Sequence, residues 1–334
     1  MYGRWAGPSY HYGGTCMYRK LAGIAISVLL AIALLAVMLV RVWDELLVTL
    51  SYLEPIFILA AIGVSLLSWI IRGWRYQQIL LYLDIRVRYI FATACIFFSQ
   101  TVNLIVPARL GDFIRIIIIR HEYDATVSKC LSSVIIERLF DIITVAVLGL
   151  FSLLFVLNVP EWFIPLIIIP LILCVAFAVF LLVAGTLPAK NPVFQFLIRM
   201  FNEVKEASLT KKSVFFLSVS SFVMWGLEAA VCMCIALMFQ EEIPFMVVVL
   251  AIVIGNLVKA IPLTPGGIGT YELAVALTLE LAGTAPAVAF LIAVIDHLIK
   301  NGITLFGGLA TIPYFGQWLI PTMVDTVKEK VLRG

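Results

Sequence analysis

Residues 262–272 read PLTPGGIGTYE. They stand inside a long apolar stretch, about residues 246–283, that would otherwise read as helix. Pro262 and Pro265 remove N–H donors from a helical ladder, and Gly266, Gly267 and Gly269 allow close backbone approach, so the backbone is expected to break here. The fold turns on whether that break is a surface loop or lies at membrane depth.

The rest of the chain answers for the membrane. Of 334 residues, 63% are hydrophobic and 13% charged, and the mean hydropathy is +1.10. Soluble domains carry about 25% charge and under half apolar residues. Residues 21–40, LAGIAISVLLAIALLAVMLV, reach the roughly 20 residues needed to cross a bilayer and exceed the h-region of a signal peptide. They read as an uncleaved first span. The expected architecture is all-α and polytopic. Six full crossings are read at about 21–40, 54–82, 131–157, 162–187, 213–239 and 286–312, with two interrupted stretches at 90–119 and 246–283. The first interruption is VPARLGD, residues 106–112, containing Pro107 and Gly111. Each reads as a re-entrant hairpin or, alternatively, as two crossings. Non-helical backbone at that depth is tolerated only where protein or a wet cavity surrounds it.

Loop charge sets the sides. With a cytoplasmic N-terminus, fifteen basic residues fall in inside segments and only Arg41 falls outside, as the positive-inside rule requires. The chain reads as a cytoplasmic tail (1–20), one transmembrane domain (21–315) and a cytoplasmic tail (316–334), in the cell membrane. Residues 188–212 read as an inside loop.

The two breaks match each other. Pro-x-x-(Leu/Ile)-Gly followed by an acid recurs at an offset of 158, from Pro107 to Pro265, with Asp112 and Glu272 as the acids. At an offset of 159, IERLFDIIT (136–144) lies over IDHLIKNGIT (295–304). The order span, broken hairpin, span occurs twice, in halves at about 54–157 and 213–312. The two halves enter the membrane from opposite sides, an inverted repeat of the kind found in transporters.

Charges inside a bilayer are costly and mark partners or pathways. The cations are Arg72, Arg75, Arg109, Arg115, Arg138, Lys259 and Lys300; the acids are Asp112, Glu137, Asp141, Glu228, Glu272 and Asp296. Arg109 and Lys259 sit beside the breaks, where freed N–H groups and a cation suit an anion. Arg72 and Arg75 read as site residues, as helix-gluing ion pairs, or as side chains snorkelling to the headgroups. Glu137 with Asp141 and Asp296 with Lys300 are i, i+4 pairs on one helix face, and helix-gluing ion pairs are the simpler reading for the first group. Glu272 either caps a half-helix or pairs with Lys259 or another base. His297, a histidine within a span, reads as a hydrogen-bonded packing residue before a proton relay.

Other classes recede. The net charge of +3 offers no nucleic-acid surface, and the six cysteines form no CxxC pair. There is no HExxH, P-loop, nucleophile elbow or nucleotide fingerprint. No catalytic residue, metal or cofactor is expected.

RGWRY (72–76), NLIVPARLGDFIR (103–115), ERLFD (137–141) and PLTPGGIGTYE resemble, in that order, the family named for the membrane region of lysylphosphatidylglycerol synthase, also described as flippase-like. The resemblance covers about residues 20–315. It implies an integral membrane module that moves lipids between leaflets. In two-function members the module is joined to a soluble aminoacyl transferase, which this chain lacks. Other stand-alone relatives are linked to surface glycan assembly on polyprenyl-phosphate carriers, so the implied cargo is an anionic phospholipid or a lipid-linked sugar. Asp112 stands where glutamate looks commoner in relatives. Implied partners are anionic membrane lipids, a membrane synthase or glycosyltransferase, and a second copy of the chain. The alternatives to a flippase are a membrane glycosyltransferase or lipid-modifying enzyme, which would need a donor site on an aqueous face, and a non-transporting scaffold for a separate synthase.

Overall fold

A computed structural model describes residues 13–51, 54–106, 110–155, 161, 163–184, 191–261 and 263–332. Among these residues there are eleven α-helices and no strand. They are α1 (Gly13–Ser51), α2 (Ile56–Tyr82), α3 (Tyr89–Ile105), α4 (Gly111–Tyr123), α5 (Val127–Leu153), α6 (Phe163–Ala184), α7 (Pro192–Ser208), α8 (Lys211–Met238), α9 (Phe245–Ala260), α10 (Thr270–Leu281) and α11 (Pro286–Leu332). A 3-10 turn, Pro265–Gly267, precedes α10. Among the described residues, four segments are long and apolar enough to cross a membrane: Ala25–Ser51, Ile56–Tyr82, Lys211–Met238 and Pro286–Phe315. α5 has the length, at 27 residues, but carries the charged residues Glu137, Arg138 and Asp141. The outer surface is apolar, with Leu47, Phe215 and Phe306 more than 70% exposed. Water would penalise that exterior and lipid does not.

Both interrupted stretches are hairpins. Gly111, at the start of α4, packs so tightly on α3 that a Cβ there would lie 1.9 Å from the Ser99 carbonyl oxygen. At the far end Phe91 of α3 meets Tyr123 of α4 edge-on, so the arms run antiparallel. In the second hairpin Gly255 of α9 faces Tyr271 and Val275 of α10. The arms hold 17 and 13 residues, then 16 and 12. At 1.5 Å per residue these span about 18–25 Å, short of the roughly 30 Å hydrocarbon core. The tips touch: Gly266 lies against Leu104, and its φ of 60° is one that a side-chain-bearing residue adopts only at a cost.

The packing repeats under exchange of α2 with α8, α3 with α9, α4 with α10 and α5 with α11. α2 packs on α8; α3 packs on α11 as α9 packs on α5; each hairpin packs on the helices before and after it. α2 and α8 run antiparallel, since Glu54 N donates to Met238 O while Arg75 bonds Ser221. Equivalent helices that cross antiparallel require a pseudo-two-fold axis perpendicular to them, which is the inverted repeat expected from sequence. Two apolar cores result. One surrounds the second hairpin (Val248, Leu250, Ile254, Val275, Ile292) and the other the first (Ile79, Ile96, Ile118, Ile136).

Three boundaries differ from expectation. The first span is part of a 39-residue helix that begins within the expected N-terminal tail. The last helix continues through the expected C-terminal tail to Leu332; hydropathy falls after residue 312, but Phe315 is still 1% exposed against Phe91 and Phe98, so packing carries the helix past the end of its apolar run. The expected loop 188–212 holds α7. Asn191 caps it by accepting from Val193 N, and Pro192 occupies its first turn. Leu197, Phe201, Val204 and Ser208 recur at helical spacing between charges, a period that a span-seeking reading of hydropathy passes over. Glu203 anchors α7 by accepting from Ser128 and Ser132 of α5.

Candidate functional site

The intramembrane charges gather into two networks related by the repeat. In the first, Arg115 meets Glu137 directly, and Arg75 reaches Asp141 at 2.6 Å, Glu137 at 3.5 Å and Ser221 at 2.7 Å. Asp112 takes Arg138 at 2.9 Å and Arg115 at 3.7 Å. Trp225 Nε1 donates to Asp141, and the Arg115 guanidinium lies 4.5 Å from the Tyr76 ring centroid. Arg75, Arg115 and Glu137 are at most 1% exposed. Three arginines face three carboxylates, so this network is neutral and closed. It corrects the snorkelling alternative for Arg75, which points inward because its carboxylates are there. Neither Arg75 nor Arg115 lines the cavity described below, contrary to their expected place in an anion site.

The second network is built on α8 to α11, with Ser68 and Arg72 of α2 joining it. Lys300 bonds Asp296 at 2.8 Å and lies 3.5 Å from Glu228. Glu228 also takes Arg72 at 3.2 Å and Ser68 Oγ at 3.0 Å. Tyr271 donates to Asp296 at 2.7 Å. Glu272 accepts from Gly269 N at 2.7 Å, capping α10, and its other oxygen lies 2.7 Å from His297 Nδ1. Nε2 of that ring is 3.0 Å from Lys259 Nζ. Of the sequence alternatives for Glu272, the cap is formed and the other oxygen meets a base other than Lys259. Its basic neighbour is His297, with Lys259 one step further on.

The repeat is visible in these bonds. The acid opening the second arm of each hairpin is held by the equivalent position of the following helix: Asp112 by Arg138, Glu272 by His297. Hairpin one has a further tie, since Asn103 Oδ1 accepts from Gly111 N and its amide donates to Asp112.

Between the networks lies a cavity of about 280 Å³. α3, α5, α9 and α11 supply its walls as equivalent pairs from the two halves, and Leu104 and Gly266 bring the hairpin tips into its lining. Among the described residues, Arg72, Arg138, Lys259 and Lys300 face it, against only Asp141 and Glu228. The remaining acids, Asp112, Glu137, Glu272 and Asp296, stand behind their cations. The wall is therefore net positive although each network is neutral. In a low-dielectric surround such a wall attracts an anion strongly. Among the described residues no group of three or more His, Cys, Asp or Glu is placed to hold a metal ion.

Pro107, Arg109 and Pro262 lie outside the described residues. Every other sequence candidate falls in one of the networks or at a hairpin tip. Sequence reasoning did not single out Ser68, Gln100, Trp225, Asn256, Tyr271 and Asn301, which bond or line the site. Their signal was weak: single polar or aromatic residues in apolar helices, each unremarkable without a partner in view.

Fold and site together define a polytopic α-helical membrane protein with two inverted halves enclosing a cationic cavity. The chain belongs to the family described as the lysylphosphatidylglycerol synthase TM region, whose model matches residues 22–308. It is 27% identical over 335 residues to glycosyltransferase AglD of Haloferax volcanii, covering 87% of this chain and 53% of AglD, so it spans about half the length of that relative. It is 23% identical over 337 residues to a UPF0104 membrane protein of Methanothermobacter thermautotrophicus, covering 92% of this chain and 99% of the relative. A UPF0104 membrane protein of Methanocaldococcus jannaschii is 28% identical over 215 residues, which is 62% of this chain and 92% of the relative.

Proposed function

We propose that this protein moves an anionic lipid between the two leaflets of the cell membrane, with the phosphate of the headgroup held in the cavity. The carrying observation is the cavity wall, where four cations face the space and two carboxylates do. A phosphate entering there exchanges water for charge-assisted hydrogen bonds. The cavity suits a headgroup and leaves the acyl chains in lipid. Its position between inverted halves supports alternating access, in which one half rocks against the other around a fixed site. The two neutral networks also tie the halves together where α2 meets α8, through Arg72–Glu228 and Arg75–Ser221.

Lipids retained by the purified protein test the reading. Native mass spectrometry is expected to find a phosphate-bearing lipid on the wild type and little on the Lys259→Met, Lys300→Met double variant. Equal retention by both contradicts it.

A second reading has one observation behind it. AglD is named a glycosyltransferase, which favours a lipid-linked sugar as cargo, or a part in glycan transfer beside a partner enzyme. Turnover of a lipid-linked sugar by the pure protein would replace transport with catalysis; binding of that lipid without turnover would name the cargo.

A further inference from the structure

We infer that capture of the anion is coupled to uptake of one proton by His297. The inference rests on the anion-binding reading of the cavity and adds a coupling ion to it. The imidazole of His297 is 2% exposed and bridges two charges of opposite sign. On one side, Nδ1 lies 2.7 Å from the Glu272 carboxylate; on the other, Nε2 lies 3.0 Å from the Lys259 ammonium. An ammonium has only hydrogens to offer, so Nε2 presents its lone pair to Lys259 and Nδ1–H donates to Glu272. The chain Lys259, His297, Glu272 is thus cation, neutral ring, anion. The ring stays neutral because its free lone pair is already committed to a cation.

Lys259 and His297 both line the cavity. A phosphate oxygen there draws the ammonium toward itself and releases Nε2. That nitrogen then takes a proton from water, giving an imidazolium whose Nδ1–H still donates to Glu272 and whose Nε2–H points at the phosphate. The ligand brings one negative charge and the ring gains one positive charge, so the buried site ends as neutral as it began. Other charges around the ring do not substitute. Asp296 and Lys300 on α11 pair with each other, Glu228 of α8 is held by Arg72 of α2 and by Lys300, and Asp141 of α5 is held by Arg75. Arg138 of α5 is held by Asp112 of α4, and Tyr271 of α10 donates to Asp296 while its ring lies 4.4 Å from the imidazole. The equivalent position in the first half is Arg138, which carries its charge permanently. Only the second half holds a titratable base there.

The test is calorimetric titration of the purified full chain with short-chain phosphatidylglycerol, a phosphodiester whose charge is constant between about pH 5 and 8. Run in buffers of different ionisation enthalpy, the wild type is expected to take up close to one proton per ligand near neutral pH, and affinity is expected to rise by up to about tenfold per unit fall in pH while the free ring stays neutral. In His297→Gln, the amide oxygen still accepts from Lys259 but the side chain does not titrate, so binding persists with no proton uptake and a flat pH profile. Binding by the wild type without proton uptake overturns the coupling and leaves the anion site standing, as does uptake that survives in His297→Gln. Absence of phosphatidylglycerol binding at every pH overturns both. The wild-type measurement decides alone if the variant does not fold.

Discussion

The two halves share a scaffold and diverge in chemistry at the same positions. Glu137, Arg138 and Asp141 on α5 occupy the places that Asp296, His297 and Lys300 occupy on α11. In the first half, arginines answer carboxylates in a network whose core, Arg75, Arg115 and Glu137, is withdrawn from the cavity, while Arg138 and Asp141 reach its wall. In the second, two lysines and a histidine answer carboxylates with Lys259, His297 and Lys300 at the cavity wall. Arginine's fixed charge and planar fork suit a permanent lock, whereas lysine is a mobile point charge on a flexible stem. The inverted repeat therefore gives a first half with fixed arginine charges, of which Arg72 and Arg138 reach the wall, and a second half with mobile lysines and a histidine there.

The largest effect is expected at the lock. Glu137→Ala leaves Arg115 and Arg75 buried with one carboxylate fewer between them, and removing one partner of a buried pair costs about 3–5 kcal/mol. The variant is expected to be lost or aggregated when extracted in detergent, as followed by size exclusion. A thermal midpoint near that of the wild type would break the contrast between the halves. Next in size are the hairpin tips. Gly111→Ala places a methyl 1.9 Å from a backbone oxygen, a clash that only separation of α3 and α4 relieves; overpacking of this kind costs about 1–3 kcal/mol. Gly266→Ala meets chiefly the flexible end of Leu104, at 2.5 Å, with a carbonyl at 3.2 Å, and adds about 1–2 kcal/mol for its left-handed backbone. Paired melts should rank Gly111→Ala as the more damaging. Equal losses would mean that the tips are equally constrained.

Substitutions in the second half should separate stability from ligand. Lys300→Met leaves Asp296 bonded to Tyr271 and Glu228 bonded to Arg72, so the loss of stability should stay below that of Glu137→Ala while anionic lipid binding falls. Least affected should be α7. Phe194 is 61% exposed, and Phe194→Ser is expected to move the melt by no more than about 0.5 kcal/mol, as surface changes usually do.

Much of this contrast was legible in the chain. Prolines and glycines inside apolar runs marked both hairpins, because a helix in lipid cannot break without a reason. The match of IERLFD to IDHLIK placed equivalent charges on α5 and α11, and their bonds to Asp112 and Glu272 follow that register. Partner choice was not legible. Glu137 and Asp141 share a helix face, but only the antiparallel crossing of α2 on α8 and α5 brings Arg75 between them. Nor could spacing separate Arg75, enclosed by acids, from Arg72 three residues earlier at the cavity wall. Helix α7 was hidden for another reason: its charges lower its hydropathy below that of a span, although its apolar period is helical.

The central claim is that the cationic cavity wall, through Lys259 and Lys300 of the second half above all, handles an anionic lipid. Leaflet exchange in proteoliposomes tests it most directly, with labelled phosphatidylglycerol and phosphatidylcholine followed in parallel for the wild type and Lys259→Met. Removing a hydrogen bond to a charged group costs about 1.5–3 kcal/mol, so exchange of phosphatidylglycerol should fall by roughly tenfold or more in Lys259→Met, and the wild type should prefer it to phosphatidylcholine. Equal exchange of the two lipids, or a rate unchanged by Lys259→Met, would contradict the account.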